Sequence, residues 1–501
     1  MKTFLMHPGR DFETEPASTA SKESLPFAQD IELDVLLDAA ASGDRFLREI
    51  MSAACARAWT NDIATIRYRQ EILKDCLANP GVVRGLYALA LEPFSREHSW
   101  NFSLYGRDAA VMVSSGVRTL QVSLDVLERL RNLCRDNADR FASPGFRQFF
   151  ATLERNLDDA YLAAARTDLD TLTFRHGLLL SARLGEGGKG VGTMLRKPQK
   201  RDLNWIDRLL TPGARSFTLQ LHPRDEAGAQ AFAELEGRGL VLICDAVYES
   251  AEHVLGFLKA LRAELAFYLG GLNLKESLDR IGETVAFPDP QAERGRFHCR
   301  NLRDACLALT MEKPVVGNDV AADGRPLVIV TGANRGGKST FLRSVGLAHL
   351  MMQCGLFVTA ESFSASLRSG LFTHCKREED RSMRSGKFDE ELVRMSAIAD
   401  EIREGALVLF NESFAATHER EGSEIARQIV SALLERNVTV FFVSHMHAFA
   451  RSFLEDGRTL FLRAERGEEG RRTFRLREGA PEAKSFGADL YRRIFEQPAA
   501  I

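Results

Sequence analysis

The stretch that most constrains this chain is TGANRGGKST, Thr331 to Thr340. Gly332 to Ser339 fits G-x-x-x-x-G-K-[ST] without a gap. The run Pro326 to Val330 before it is apolar and largely β-branched, and from Phe341 onward apolar residues recur at helical spacing. Strand, glycine loop and helix in that order are the context of a phosphate-binding loop. The reason lies in the residue types. Gly332, Gly336 and Gly337 can take φ > 0 and bring backbone N–H groups against phosphate oxygens, at the positive end of a helix dipole. Ala333, Asn334, Arg335 and Thr340 complete the cradle. Lys338 would reach the β- and γ-phosphates, and Ser339 would hold Mg²⁺. A chance glycine turn before a helix is the bland alternative, and the full match in this context disfavours it.

From about Arg296 to Gly479 short β-rich runs alternate with helical stretches: Leu327 to Thr331, Ala406 to Phe410, Val438 to Ser444, Thr459 to Arg463 and Arg472 to Leu476. This predicts an α/β region with a mainly parallel core and antiparallel edge strands. Two strands deliver chemistry to the carboxyl edge, where open α/β sheets bind ligands. Leu407 to Phe410 is fully apolar and ends in Asn411 and Glu412, which makes Glu412 a candidate general base or water-orienting group. VTVFFVSH brings Ser444 and His445 to the same edge, where a histidine can donate to a γ-phosphate or its water. A surface glutamate and a satisfied structural histidine are the bland readings of these two.

The remainder differs in kind. A length of 501 residues predicts two to four domains, and 45% hydrophobic with 27% charged content is that of a soluble globular protein. Residues 1–28 are polar and aperiodic and read as a flexible N-terminal tail. Over 29–290 the pattern is helical: Ile63, Ile66 and Leu73, then Leu120, Leu124, Leu127 and Cys134, fall at helical spacings, punctuated by Pro80-Gly81, Pro93 and Pro144-Gly145. Within it, 185–201 is glycine-rich and basic, with Arg196, Lys197, Lys200 and Arg201 close together. This is a nucleic-acid backbone contact or, more blandly, a solvated connection. Ser216 to Leu221 alternates like a strand; Ala227 to about Ile281 returns to helix, which Gly270-Gly271 should stop or kink. Pro288 to Gly295 reads as a linker into an α/β domain over 291–501. The predicted class is therefore α + α/β, a helical core or lever region followed by a phosphate-loop domain.

A net charge of -3 excludes a small, basic DNA-binding protein but not local basic patches. The eight cysteines are scattered without a C-x-x-C pair, and His298-Cys299 near Cys306 lacks a second pair to complete a zinc site; reduced cytosolic thiols fit better. Met1 to Arg10 has no long apolar core, so no secretory signal is expected. The uncharged run Ser344 to Ala360 is broken by Gly355 and reads as buried helix and strand, not a membrane span. A cytoplasmic location is expected.

The span from about Pro326 to Ala488 resembles the ATPase domain of the MutS family of DNA mismatch repair proteins. The matching stretches are TGANRGGKSTFLR at 331–343, GLFVTA at 355–360, LFTH at 371–374, GKFDEEL at 386–392, VLFNES at 408–413, EGSEIAR at 421–427, VSH at 443–445, then FRLREG and KSFGADL. TIRYRQEIL at 65–73 and FYLGGLNLKESLDRIGETVAFPDP at 267–290 resemble the family's core helices and pre-ATPase segment. The resemblance implies an ABC-type ATPase with a Walker A loop, working as a homodimer on ATP and Mg²⁺, each nucleotide bound by one subunit and completed by the other. In that arrangement Lys338 and Ser339 act in cis, Glu412 positions water and His445 is the switch histidine. Ser385, opening the segment to Glu391, approaches the partner's nucleotide, and Thr417 lies in the loop between sites. Phe388 and Leu392, four apart on a helix face, would anchor that segment.

The departures are informative. Asn411 stands where the family carries a metal-associated aspartate, which keeps hydrogen bonding but removes a negative charge near Mg²⁺; slow hydrolysis or altered metal affinity is expected. Phe12-Glu13-Thr14 does not fit the family's Phe-x-Glu wedge, so a mismatch-reading domain is expected to be absent. The clamp insertion shrinks to at most 185–245, and no nuclease-like extension is expected beyond Ile501. The expected function is a MutS-like protein that binds and hydrolyses ATP, dimerises through its ATPase domains and binds DNA without classical mismatch reading. The alternative is an ATP-gated dimeric scaffold with weak hydrolysis whose partner is a protein. Asn411 and the near-neutral charge favour the scaffold, the basic loop favours DNA, and steep salt dependence would separate them.

Overall fold

The computed structural model describes residues 1–12, 27–95, 109–175, 177–186, 190–196, 220–222, 224–376, 386–466 and 472–481. Two compact units are present, and neither is continuous in sequence. One draws on Met1–Thr3, Arg84–Asp139 and Arg147–Arg262; the other on Phe4–Val83, Arg140–Phe146 and Ala263–Ile501.

The first unit is built on helices Ala109–Asn137 and Asp159–Thr171 and the earlier part of helix Glu226–Arg280. Its core follows helical periodicity: Val113, Val117 and Leu124 meet Leu162 and Leu169 and then Leu240, Cys244 and Val247. Asp158 caps the second helix by accepting from the Tyr161 N–H, and buried Arg131 donates to the Leu157 carbonyl and the Asp159 carboxylate, both at 2.7 Å. Strands β1 (Leu180–Leu184) and β2 (Gly190–Leu195) form an antiparallel hairpin. Arg196 of the basic cluster lies beside it, its Nε donating to Ser181 Oγ at 2.9 Å. Lys197, Lys200, Arg201 and 216–219 lie outside the described residues.

The second unit carries two sheets. Strands β3 (Asp289–Gln291), β4 (Phe297–Leu302), β5 (Asn318–Ala321) and β7 (Ser362–Ser366) form a four-stranded sheet of order β3-β7-β4-β5. This sheet is absent from the sequence expectation, and β3 occupies the stretch read as a linker; a three-residue strand has no period to read. The larger sheet contains β6 (Leu327–Thr331), β8 (Leu371–Cys375), β9 (Leu407–Asn411), β10 (Thr439–Val443), β11 (Thr459–Arg466) and β12 (Arg472–Glu478) in the order β12-β11-β6-β10-β9-β8. Every pair from β11 to β8 is parallel, and β12 is an antiparallel edge.

The central strands are buried along their whole length, as parallel strands covered on both faces require. Alternate residues Leu327 and Ile329, Val408 and Phe410, and Val440 and Phe442 share one cluster with Phe414, Val430, Leu433 and Phe449. Phe441 points the other way, toward Phe341 of helix Lys338–Cys354.

Two expectations need correction. Residues 4–12, read as part of a flexible tail, are pinned. Leu5 and Met6 are buried; the N–H groups of Leu5 and Phe12 donate to the buried Glu264 carboxylate at 2.6 and 3.2 Å; Tyr68 and Tyr268 donate to the carbonyls of Phe4 and Leu5. The partners of this aperiodic backbone are side chains far along the chain, so no local pattern announces them. Residues 13–26 lie outside the described residues. Second, Gly270-Gly271 does not stop the helix: Glu226–Arg280 runs through them. They are needed for close approach, because a Cβ on Gly270 would sit 2.7 Å from Met51 Sδ and one on Gly271 2.9 Å from Leu73 Cδ1.

Among the described residues no helix is long and apolar enough to cross a membrane.

Candidate nucleotide site

Strand register builds the site. Val443 of β10 pairs with Val330 of β6 on one side and with Asn411 of β9 on the other. The residues just beyond these strand ends, Gly332 onward, Glu412 and Ser444-His445, therefore emerge together at the carboxyl edge of the sheet.

Within the loop, Gly332 (φ 116°) and Gly337 (φ 88°) take the left-handed backbone that their residue type allows. Gly336 does not; it serves clearance, since a Cβ there would sit 2.9 Å from Ala464 Cβ and 3.0 Å from the Ala333 carbonyl oxygen. The other left-handed residue is Arg335, which with Asn334 forms the exposed rim. Gly337 caps helix Lys338–Cys354 without a side-chain acceptor, so no capping side chain occupies the first-turn N–H groups, with Thr340 on that first turn.

Lys338 is buried, and its Nζ donates to the carbonyls of Gly332 and Ala333, both at 3.0 Å. Burial pushes its pKa down to about 8, against a smaller upward pull from Glu412. His445 Nε2 lies 3.4 Å from Lys338 Nζ and 2.9 Å from Glu412 Oε1. A carboxylate can only accept, so the ring N–H is directed at Glu412. That hydrogen bond holds the Glu412 carboxyl below its usual range despite partial burial. Glu412 has left-handed backbone (φ 55°), and its N–H donates to the Val443 carbonyl at 2.9 Å.

Ser339 Oγ donates to Asn411 Oδ1 at 2.9 Å. This matches the roughly 3.0 Å edge between adjacent ligands of an octahedral cation with bonds of about 2.1 Å, the Mg²⁺ preference. Both atoms are hard, neutral oxygens. Among the described residues no group of three or more His, Cys, Asp or Glu could hold a metal, so a cation here would depend on Ser339, Asn411 and phosphate oxygens.

Thus Lys338, Ser339, Asn411, Glu412 and His445 are brought together by direct contacts. Ser385 lies outside the described residues, as does Arg384. Phe388 and Leu392 pack against the core cluster, and Thr417 Oγ1 donates to Glu421 at the surface. Sequence reasoning missed a buried layer under Glu412: His374, Glu391 and Ser413, joined by hydrogen bonds across 17 and 39 residues of chain. It also missed Arg343, which ties helix Lys338–Cys354 to buried Asp304 and to Glu32. No local pattern could have shown either, because each partner sits on a different element.

Fold and site define a protein with extensive helices, mixed α/β sheets and a G-x-x-x-x-G-K-[ST] loop at a sheet's carboxyl edge. Residues 61–281 match the MutS2 N-terminal domain, and residues 328–492 match MutS domain V. The DNA mismatch repair protein MutS of Thermotoga petrophila is 27% identical over 248 residues, 49% of this chain and 30% of that protein. The DNA mismatch repair protein MutS of Thermus thermophilus is 32% identical over 164 residues, 33% of this chain and 20% of that protein. MutS protein homolog 4 of Mus musculus is 30% identical over 137 residues, 27% of this chain and 14% of that protein. The chain belongs to the MutS family. It spans less than a third of the length of these relatives.

Proposed function

We propose that this chain is a MutS-like ATPase that binds ATP in the Thr331–Thr340 loop and hydrolyses it. The observation that carries this reading is the convergence of Lys338, Ser339, Asn411, Glu412 and His445 at one sheet edge. On ATP binding, Lys338 exchanges two loop carbonyls for β- and γ-phosphate oxygens, which favours its charged form. Ser339 and Asn411 would hold Mg²⁺, which would supply neutralisation of phosphate charge. Glu412, ionised and oriented by His445, orders the attacking water. His445 then senses the γ-phosphate through the proton it otherwise directs at Glu412. Two copies associate through this domain, with the segment around Ser385 completing the partner's site. DNA is the proposed macromolecular partner, supported by the names of the relatives, and a cytoplasmic location goes with it.

A second reading is favoured by Asn411: a dimeric scaffold gated by ATP, hydrolysing weakly and binding a protein. One set of measurements separates the two. ATP turnover and solution mass would be followed for wild type, Lys338→Ala and Glu412→Gln, with and without single-stranded, branched and mismatched DNA. Lys338→Ala should lose nucleotide binding, and Glu412→Gln should lose turnover and accumulate as an ATP-bound dimer. Unchanged turnover in Lys338→Ala overturns the ATPase assignment. If no DNA form binds at low salt, the DNA role is abandoned and the scaffold reading takes its place.

A further inference from the structure

Under the Glu412 carboxylate lies a sealed polar layer that phosphate binding does not use. The turn Asn411–Phe414 holds two non-glycine residues in left-handed backbone, Glu412 (φ 55°) and Phe414 (φ 61°). Such conformations persist only where the surroundings enforce them. Ser413, between the two, is 0% exposed, and His374 at the end of β8 is 1% exposed. His374 Nε2 lies 2.9 Å from the Glu391 carbonyl, which can only accept, so this nitrogen donates. Ser413 Oγ donates to the His374 carbonyl at 2.5 Å and lies within hydrogen-bond distance of His374 Nδ1 at 2.7 Å. Phe414 completes the arrangement: its N–H donates to Glu391 Oε2 at 2.9 Å, and its ring stacks on the His374 imidazole at 5.1 Å. One imidazole thus joins three elements: β8, helix Lys387–Glu401 and the turn that carries Glu412.

We propose that His374 is a positioning residue for ATP hydrolysis, hydrogen-bonded through one ring nitrogen to the Glu391 carbonyl and through the other to Ser413, so as to fix Ser413 and, through it, the left-handed Glu412 that meets His445. The inference rests on the reading of Glu412 as the water-ordering group. Because Glu391 lies in the second turn of helix Lys387–Glu401, a displacement of that helix is transmitted to Glu412 through the same hydrogen bonds. The hydrogen bonds of His374 to Ser413 and to the Glu391 backbone lie outside the Thr331–Thr340 loop, so its loss should act on the chemical step and spare nucleotide affinity.

The test compares His374→Phe, which keeps a ring but no donors, with His374→Gln, which keeps a donor and an acceptor. Single-turnover ATP hydrolysis and the affinity for a fluorescent ATP analogue would be measured in wild-type and Glu412→Gln backgrounds. His374→Phe should slow hydrolysis roughly tenfold to a hundredfold, the scale of a misplaced catalytic group, and should leave analogue affinity within about twofold. His374→Gln should recover most of the rate. In the Glu412→Gln background His374→Phe should add nothing further, because both changes act through one group. If His374→Phe does not fold, Ser413→Ala, which removes only the bridging hydroxyl, should show the same loss. A His374→Phe rate equal to wild type, or an undiminished loss in the Glu412→Gln background, overturns the proposal. A wild type that binds the analogue without hydrolysing ATP overturns instead the reading on which it rests.

Discussion

Converting Asn411 to aspartate isolates the one position where the site carries an amide in place of a charge. Asn411 Oδ1 already accepts from Ser339 Oγ at 2.9 Å, so a carboxylate oxygen can take the same place without rebuilding β9. Its backbone stays paired with Val443 and Cys375. The gain comes from charge. A hydrogen bond or ligand contact to a charged group is worth about 1 kcal/mol more than its neutral counterpart, which is roughly a fivefold change in an equilibrium constant. Repulsion from ionised Glu412 opposes this, but the His445 hydrogen bond already draws on that charge. Turnover measured against Mg²⁺ concentration should therefore reach half its maximum at roughly fivefold lower Mg²⁺ in Asn411→Asp. Maximal turnover should also rise, since more charge on the phosphates is neutralised. An unchanged Mg²⁺ midpoint together with an unchanged rate would refute the assignment of Asn411 to the metal.

Two further outcomes follow from the geometry. Lys338, held by burial at about 8 against 10.5 for an exposed lysine, must be charged to meet phosphate, so ATP binding takes up a proton above that pH. The analogue's Kd should be flat below about pH 7 and rise by up to roughly tenfold per pH unit above 8. Stability without nucleotide has the opposite sign: between about 8 and 10.5 the unfolded chain binds more protons, so this lysine's burial penalty fades as pH rises through that window. Gly422→Ala would place a Cβ 2.2 Å from the Phe414 carbonyl oxygen, directly behind the Glu412 turn. Thermal or denaturant unfolding should show a loss of about 1–3 kcal/mol from overpacking, and hydrolysis should fall with it; an unperturbed rate would mean the turn tolerates displacement.

The sequence alone determined the parts whose signal is local. The loop from Gly332 to Ser339 is legible because phosphate binding needs glycines, a lysine and a hydroxyl at fixed spacing on a strand-loop-helix. Strands ending at Asn411 and before His445 are legible because strands buried on both faces are written as uninterrupted apolar runs. The parallel order that sets those ends side by side was an expectation, and strand pairing made it a geometry. Tertiary structure alone decided the rest. Glu264 as an anchor for residues 5 and 12, Met51 and Leu73 as the reason for Gly270-Gly271, and His374 beneath Glu412 all depend on contacts between distant parts of the chain. Such contacts leave no period or motif behind, because a buried polar group asks only for a partner of the right chemistry, wherever the fold delivers it.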